Sequence, residues 1–486
     1  MLRPSCEKIE KLAKTYNTIP ICKEIYADVI TPITLLRKLS QISRKYYLLE
    51  SIEGGEKWAR YSFLGFDPIL HVTCKDSIVT MEGDETKIVQ TEKPLEVLRE
   101  LLAKYRAPKL DDMPPFTGGL VGYFAYSMIG YAEPILKIKS DDLNDFDLML
   151  FDKVIAYDHL KQKICIVVNM NTDHVMENYG KAVSEIEGII RIITDSQPLP
   201  KLRTYGKADF SCNVSKEAYF AMVEKTKEYI RDGDIFQAVI SLRFESEYHS
   251  SLINAYRVLR TTNPSPYMVY MNINNVEIMS TSPETLVRLR NGRLCTFPVA
   301  GSRPRGATPQ EDIALEQELL QDEKELSEHN MLVDLARNDL GKISNFSSVK
   351  VMDYMMIHRY SKIMHIASCV ESEIRDDRDA YDAIEAILPA GTLSGAPKIR
   401  TCEIIEELEP EARGIYGGAL GYVDFTGNLD TCIAIRMAVK KNDRVYVQAG
   451  GGIVADSVPE LEYAEAGNKA RAVINAILHA SEVDDE

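Results

Sequence analysis

Two runs of the chain carry the same acidic spacing. In "DEKELSEHNMLVDLARNDLG" Glu325 and Glu328 stand three apart; in "PELEYAEAGNKA" Glu462 and Glu465 do so again, with Lys469 one turn further on. Such spacings fall on one stripe of an α-helix. Taken singly, each stripe is a solvated helix face with an i,i+4 Glu465–Lys469 pair. Taken together, two helices that each present E-x-x-E can converge on one cation. Carboxylates without histidine partners suit a hard ion such as Mg²⁺ better than zinc. Just before the second row comes "AGGGIVAD", a loop in which Gly450, Gly451 and Gly452 offer bare backbone to whatever the row holds.

Other polar groups stand where loops meet strands. Glu284 follows a Ser-Pro turn in "TSPETLVR"; a carboxyl tucked beside apolar walls keeps its proton and can serve as a general acid. "FPVAGSRPRG" supplies Gly301 and Ser302 in a tight turn. His365 lies in the apolar run "KIMHIASCVES", a setting more common for a core histidine than for a catalytic one. Thr392, in "PAGTLSGAPKIR", stands where a loop runs into a helix, with amides suited to an anion. Tyr416 follows in "GIYGGALGY". Arg436 stands mid-strand in "CIAIRMAV", where an arginine needs a carboxylate partner. The inventory fits a small ligand with more than one carboxylate.

The elements that position these groups are partly legible. Pro459 suits the first turn of a helix. Ser215 is a candidate N-cap for a helix ending near Gly233. Asn291-Gly292 and Asn442-Asp443 each separate two strand-like runs, the strongest short-range hairpin signals. "GGLVGYF" and "GGALGYV" share a G-G-x-x-G-Y frame at strand-like positions, without the G-x-G-x-x-G spacing of a dinucleotide site. Closely spaced hairpins with helices outside them predict an α+β layered fold of antiparallel sheets. Residues 1–195 form one mixed segment, 196–213 a polar linker with prolines, and 214–486 a second segment that holds the chemistry.

The bulk numbers narrow the class. The chain has 486 residues, 45% of them apolar and 27% charged, with a formal charge of −16. That balance is ordinary for a soluble globular protein and opposes a nucleic-acid surface, which needs clustered Lys and Arg. No run is long enough to span a bilayer, and the first residues lack the apolar core of a signal peptide. Nine cysteines without C-x-x-C spacing point to reduced thiols in the cytoplasm, not to a disulfide or zinc framework.

"FPVAGSRPRG", "SEHNMLVDLARNDLG", "PAGTLSGAPKIR" and "AGGGIVADSVPELEYAEAGNKA" closely resemble the signature segments of the chorismate-utilising enzymes, strongly over residues 215–475 and more loosely over 20–150. The resemblance implies a four-layer α/β/β/α sandwich in which the N-terminal half completes the sheets. It matches Glu328 and Glu465 to magnesium ligands, with Glu325 and Glu462 lining the same site and Lys469 helping to grip the ring carboxylate of chorismate. Gly450, Gly451 and Gly452 match backbone that holds a substrate carboxylate, and Tyr416 and Arg436 match groups that orient the enolpyruvyl carboxylate. Glu284 matches the acid for the departing 4-hydroxyl, and His365 the histidine of pyruvate loss. Gly301, Ser302 and Thr392 match substrate contacts, Ser302 replacing the more usual threonine.

Two positions point to the ammonia-using, anthranilate-forming branch. Gln237 stands where water-adding relatives carry a lysine base, and water needs deprotonation where ammonia does not. Ala300 stands where aminodeoxychorismate synthases carry a nucleophilic lysine. No cysteine lies in a glutaminase elbow, so the resemblance implies a class I glutamine amidotransferase subunit as ammonia source. "YLLES" and "NPSPYMVY" resemble segments of a tryptophan inhibitor site, giving Ser51, Pro266, Tyr267 and Met268 as contacts. The alternatives are an aminodeoxychorismate synthase component, disfavoured by Ala300; a two-metal phosphohydrolase, which would want more Asp and His ligands; and a non-catalytic amino-acid-binding regulator.

Overall fold

The computed structural model describes residues 2–28, 30–51, 60–359 and 363–485. Its local elements follow from the sequence. Helix Pro32–Ile42 starts at Thr31, whose hydroxyl accepts from Thr34 N, and buries Leu35, Leu36 and Leu39 on one face. Helix Lys216–Arg231 is capped by Ser215, as its sequence predicts. Both hairpin signals form turns with paired positive φ, 58° and 78° at Asn291-Gly292 and 51° and 59° at Asn442-Asp443. These are type I′ turns, whose twist matches that of the strands they join.

The strands assemble into two large antiparallel sheets and a small three-stranded one. In the larger sheet Lys45–Glu50 pairs with Tyr267–Ile273, so strands from both ends of the chain share it. The second sheet is joined in the same way by the two glycine-rich echoes. Gly119–Phe124 pairs with Ala419–Asp424, and Gly122 stands opposite Gly421. The segment 196–213 ends in an edge strand, Ser211–Cys212, of the larger sheet.

Alternation along the strands defines the layers. In the larger sheet Leu48 and Leu64 face one apolar cluster with helices Pro32–Ile42, Val175–Thr194, Ile253–Thr262 and Pro459–Leu478, while Tyr47 and Phe63 face the other sheet. In the second sheet Val121, Tyr123 and Met149 point into that shared core. Leu120, Phe124 and Leu148 point outward to helices Pro94–Leu102, Glu323–Gly341 and Ala380–Ile387. Helix, sheet, sheet and helix stack in the order α/β/β/α.

The expectation of reduced thiols fails at one pair, the other seven cysteines being free. Cys22 and Cys165 form a disulfide with Cα atoms 6.4 Å apart, not two reduced thiols. They sit diagonally across neighbouring strands, Cys22 facing Val167, a proximity that sequence separation hides. No helix among the described residues is long and apolar enough to cross a membrane.

Candidate functional site

Helices Glu323–Gly341 and Pro459–Leu478 bring their acidic stripes to the end of strand Arg444–Ile453. The three glycines lie inside that strand and not in a loop: Gly450, Gly451 and Gly452 pair with Ser241, Ile240 and Val239. The neighbouring strand Met437–Lys441 stops at Val447, leaving the other backbone edge of the glycines unpaired. Gly450 uses that edge: its N–H meets the Tyr416 hydroxyl, and its carbonyl accepts from Lys469 Nζ at 3.0 Å. By the alternation of a strand, the Gly452 amide faces the same side.

The carboxylates gather around these glycines. A Cβ on Gly451 would lie 3.1 Å from Glu462 Oε2 and 3.7 Å from Glu465 Oε1, and one on Gly452 would lie 2.0 Å from Gln237 Nε2. That amide nitrogen is 3.5 Å from Glu328 Oε1, so Gln237 links the glycine strand to helix Glu323–Gly341. Lys469 pairs with Glu465 at 2.8 Å. Glu325 is held above the usual carboxylate range by burial and then by Glu328. Glu462 is raised by burial and then by Glu465. Crowded, partly desolvated acids of this kind are what a divalent ion relieves.

The oxygens stay open and do not form a closed cage. Among the described residues the one group with three potential ligand atoms within 4.8 Å of one another is Cys295, Cys369 and Glu371. An open carboxylate set fits Mg²⁺, which keeps several waters and takes one or two protein carboxylates plus ligand oxygens.

Glu284 lies between strands Val276–Ser282 and Thr285–Arg290. It is buried and accepts from Thr392 Oγ1 at 3.1 Å. Burial pushes its carboxyl up to about 8, against weaker opposite pulls from Thr392, Arg436 and Lys469. It therefore holds a proton at neutral pH and can give it away. Thr392 sits on a short 3₁₀ turn ahead of helix Lys398–Leu408 and is tied to this acid, not to the helix start.

Gly301 and Ser302 lie in the bulged strand Val299–Pro304 and not in a tight turn. Gly301 takes φ 68°, a left-handed conformation costly with a side chain. The bulge turns its carbonyl to His365 Nδ1, 3.2 Å away. A carbonyl only accepts, so Nδ1 carries the proton and Nε2 is the basic nitrogen. Burial first, then Arg436, lowers His365 to about 4, keeping it neutral. Ser302 faces His365 in register but is exposed.

Arg436 is not mid-strand. It lies in the link between Leu429–Ile433 of one sheet and Met437–Lys441 of the other, with φ 45°. Its apolar neighbours are those of a half-buried crossover between the sheets.

A buried charge pair absent from the sequence reading supports the site. Arg413 binds Glu409 through Nε at 2.8 Å and Nη2 at 2.7 Å. It also donates to Leu393 O at 2.5 Å and Val239 O at 2.7 Å. Glu409 accepts from Ser241 N at 2.8 Å. The pair thus fixes the Thr392 turn and the strand opposite the glycines, and the guanidinium lies 5.7 Å from the centre of the Tyr416 ring. Their i,i+4 spacing was the one local signal, but it falls at the end of helix Lys398–Leu408 and gives no sign of burial.

Ser51, Pro266, Tyr267 and Met268 all line a separate cavity of about 570 Å³, beside Glu50, Arg288 and Asp430. It opens at the junction of the two halves, where Met268 faces Glu50. Tyr267 donates to Asp430 at 2.8 Å, and Glu50 binds Arg260 at 3.0 Å and Tyr256 at 2.8 Å.

Known proteins resemble this one over nearly the whole chain. "Anthranilate synthase component 1" of Acetivibrio thermocellus is 47% identical, covering 99% of this chain and 100% of that protein. The protein of the same name from Aquifex aeolicus is 44% identical, covering 100% of both. The crystal structure of anthranilate synthase component I from Streptococcus pneumoniae TIGR4 superposes with a TM-score of 0.78 at 34% identity, over 93% of this chain and 99% of that one. The menaquinone-specific isochorismate synthase MenF of Escherichia coli shares the fold, with a TM-score of 0.70 at 18% identity over 97% of this chain and 98% of its own. The chorismate binding enzyme profile matches residues 45–475, the span that holds both sheets' junctions and every acid of the cleft, and the chain belongs to that family.

Proposed function

We propose that this chain is the chorismate-converting component I of an anthranilate synthase, forming anthranilate and pyruvate from chorismate and ammonia. The observation that carries this proposal is the pairing of a buried proton donor, Glu284, with two positions that lack a nucleophilic or basic lysine, Gln237 and Ala300. The names of its full-length relatives agree with it.

The roles follow from the cleft. Tyr416, Arg436 and the outer backbone edge of the glycine strand hold the substrate carboxylates. Glu328 and Glu465, with Glu325 and Glu462 beside them, would hold Mg²⁺, which when bound draws charge from the conjugated ring carboxylate. Lys469 adds positive charge on the same side. Ammonia attacks C2 without a base, since Gln237 is a neutral amide, while Glu284 protonates the leaving 4-hydroxyl. The His365 Nε2 lone pair then takes the C2 proton of 2-amino-2-deoxyisochorismate as pyruvate departs. Gly301 holds the ring for that step through Nδ1, and Ser302 and Thr392 complete the substrate wall.

Ammonia comes from a class I glutamine amidotransferase subunit in a heteromeric complex in the cytoplasm. Tryptophan binds the 570 Å³ cavity at Ser51, Pro266, Tyr267 and Met268 and inhibits. Residues 1–195 then contribute to the regulatory site and to part of the sheet sandwich, joined by 196–213 to the catalytic part 214–486. The test is the purified chain with chorismate, Mg²⁺ and ammonium salts, followed by anthranilate fluorescence. Anthranilate should form, glutamine should not replace ammonium, and substitution of Ser51 should weaken inhibition by tryptophan. Formation of the para isomer, or turnover with glutamine alone, would refute the assignment.

A further inference from the structure

Away from the catalytic cleft, one row of side chains crosses five strands of the second sheet. Tyr422 faces Asp430, Asp430 faces Arg288, Arg288 faces Cys295, and Cys295 faces Glu371. The first three line the 570 Å³ cavity. At the far end Cys369, two residues before Glu371, brings its Sγ within 3.4 Å of Cys295 Sγ. Both cysteines are buried.

We propose that Cys295 and Cys369 form an oxidisable dithiol, a modification site that takes a small hydroperoxide as oxidant and closes to a disulfide. Three observations support it. The cysteines stand in the diagonal relation already bridged at Cys22 and Cys165: in each pair the second cysteine lies two residues before the partner facing the first. The Cys369 thiol first, and then the Arg288 guanidinium that hydrogen-bonds Cys295, favour the thiolate at Cys295 against its burial. Cys369 lies two residues beyond the end of Ile363–Ala367, the strand that carries His365.

The chemistry balances. The Cys295 thiolate attacks one peroxide oxygen, the O–O bond breaks, and the departing hydroxide collects the proton Cys295 released. Cys369 then attacks the sulfenic sulfur; the S–S bond forms and the S–O bond breaks. The Cys369 proton leaves with that oxygen as water. Two thiols and one hydrogen peroxide give one disulfide and two waters. Oxidation removes the thiolate beside Arg288, leaving Asp430 as its acidic neighbour, and pins the chain just beyond His365. A divalent metal on Cys295, Cys369 and Glu371 is the competing use of the cluster, and the Arg288 cation beside the sulfur opposes it.

The experiment uses the full chain, reduced with a dithiol and exchanged into buffer. It is treated with stoichiometric hydrogen peroxide, alkylated, digested without reductant and mapped by mass. The expected result is a peptide pair linked through Cys295 and Cys369, two hydrogens lighter than the free peptides and restored by dithiothreitol. In C369S, Cys295 should stop at the sulfenic acid and be captured by dimedone. Full alkylation of both residues after peroxide would overturn the proposal. So would one equivalent of zinc that shields both thiols and leaves when they are blocked.

Discussion

Replacing Glu284 with glutamine separates the two consequences of burying a protonated acid. Glutamine keeps the oxygen that accepts from Thr392 but has no acidic proton, so turnover with ammonium should fall about 10²–10⁴-fold. The carboxyl is raised from 4.5 to about 8 in the folded protein. Between those values the unfolded chain has lost its proton and the folded one retains it, so stability falls as pH rises through that window and the penalty is complete above it. At pH 7 the wild-type penalty is about 3 kcal/mol, at about 1.4 kcal/mol per pH unit above 4.5. Thermal unfolding of both proteins from pH 5 to 9 should show the E284Q melting temperature gaining steadily on wild type. Activity at a fixed concentration of unprotonated ammonia should lose its alkaline limb near pH 8 only in the variant. An E284Q enzyme within a few-fold of wild-type turnover, or two stability curves that run parallel with pH, would refute the reasoning.

Three further outcomes follow from the cleft. H365A should consume chorismate while releasing about 10²-fold less pyruvate per unit time, with the aminated intermediate detected by chromatography; wild type should keep a flat acid side down to about pH 5, since burial keeps the imidazole neutral until about 4. R413M leaves Glu409 buried without its partner and should lower stability by about 3–5 kcal/mol in urea unfolding, with E409Q/R413M recovering part of the loss. G451A places a methyl 3.1 Å from Glu462 Oε2 without a backbone clash; it should fold normally and need several-fold more Mg²⁺ for half-maximal activity.

What the sequence revealed was set by range. Helical stripes, the Ser215 cap and the two I′ hairpins depend on neighbours a few residues away, and all are present. The chorismate-family motifs supplied the layering that periodicity alone left open, and the site roles as expectations. Features decided by distant pairing were not legible. The apolar surroundings of Arg436 suit a strand interior and a half-buried crossover equally well, and only the two-sheet arrangement distinguishes them. The Gly301 bulge depends on pairing with Ile363–Ala367, some sixty residues on. The glycine echo suggested close packing, yet that its two strands pair with each other emerged only from the sheet order. Cys22–Cys165 joins two unpatterned positions, and the i,i+4 pair Glu409–Arg413 gains its role only from distant partners, Ser241, Leu393 and Val239.

The account rests on an ion held jointly by the helices of Glu328 and Glu465. Its most direct test is a Mg²⁺ titration of exhaustively chelated enzyme with chorismate and ammonium, run for wild type, E328Q and E465Q. Activity should vanish on chelation and return with Mg²⁺, and each variant should need at least about tenfold more ion. Full turnover after chelation, or variants that titrate like wild type, would contradict it.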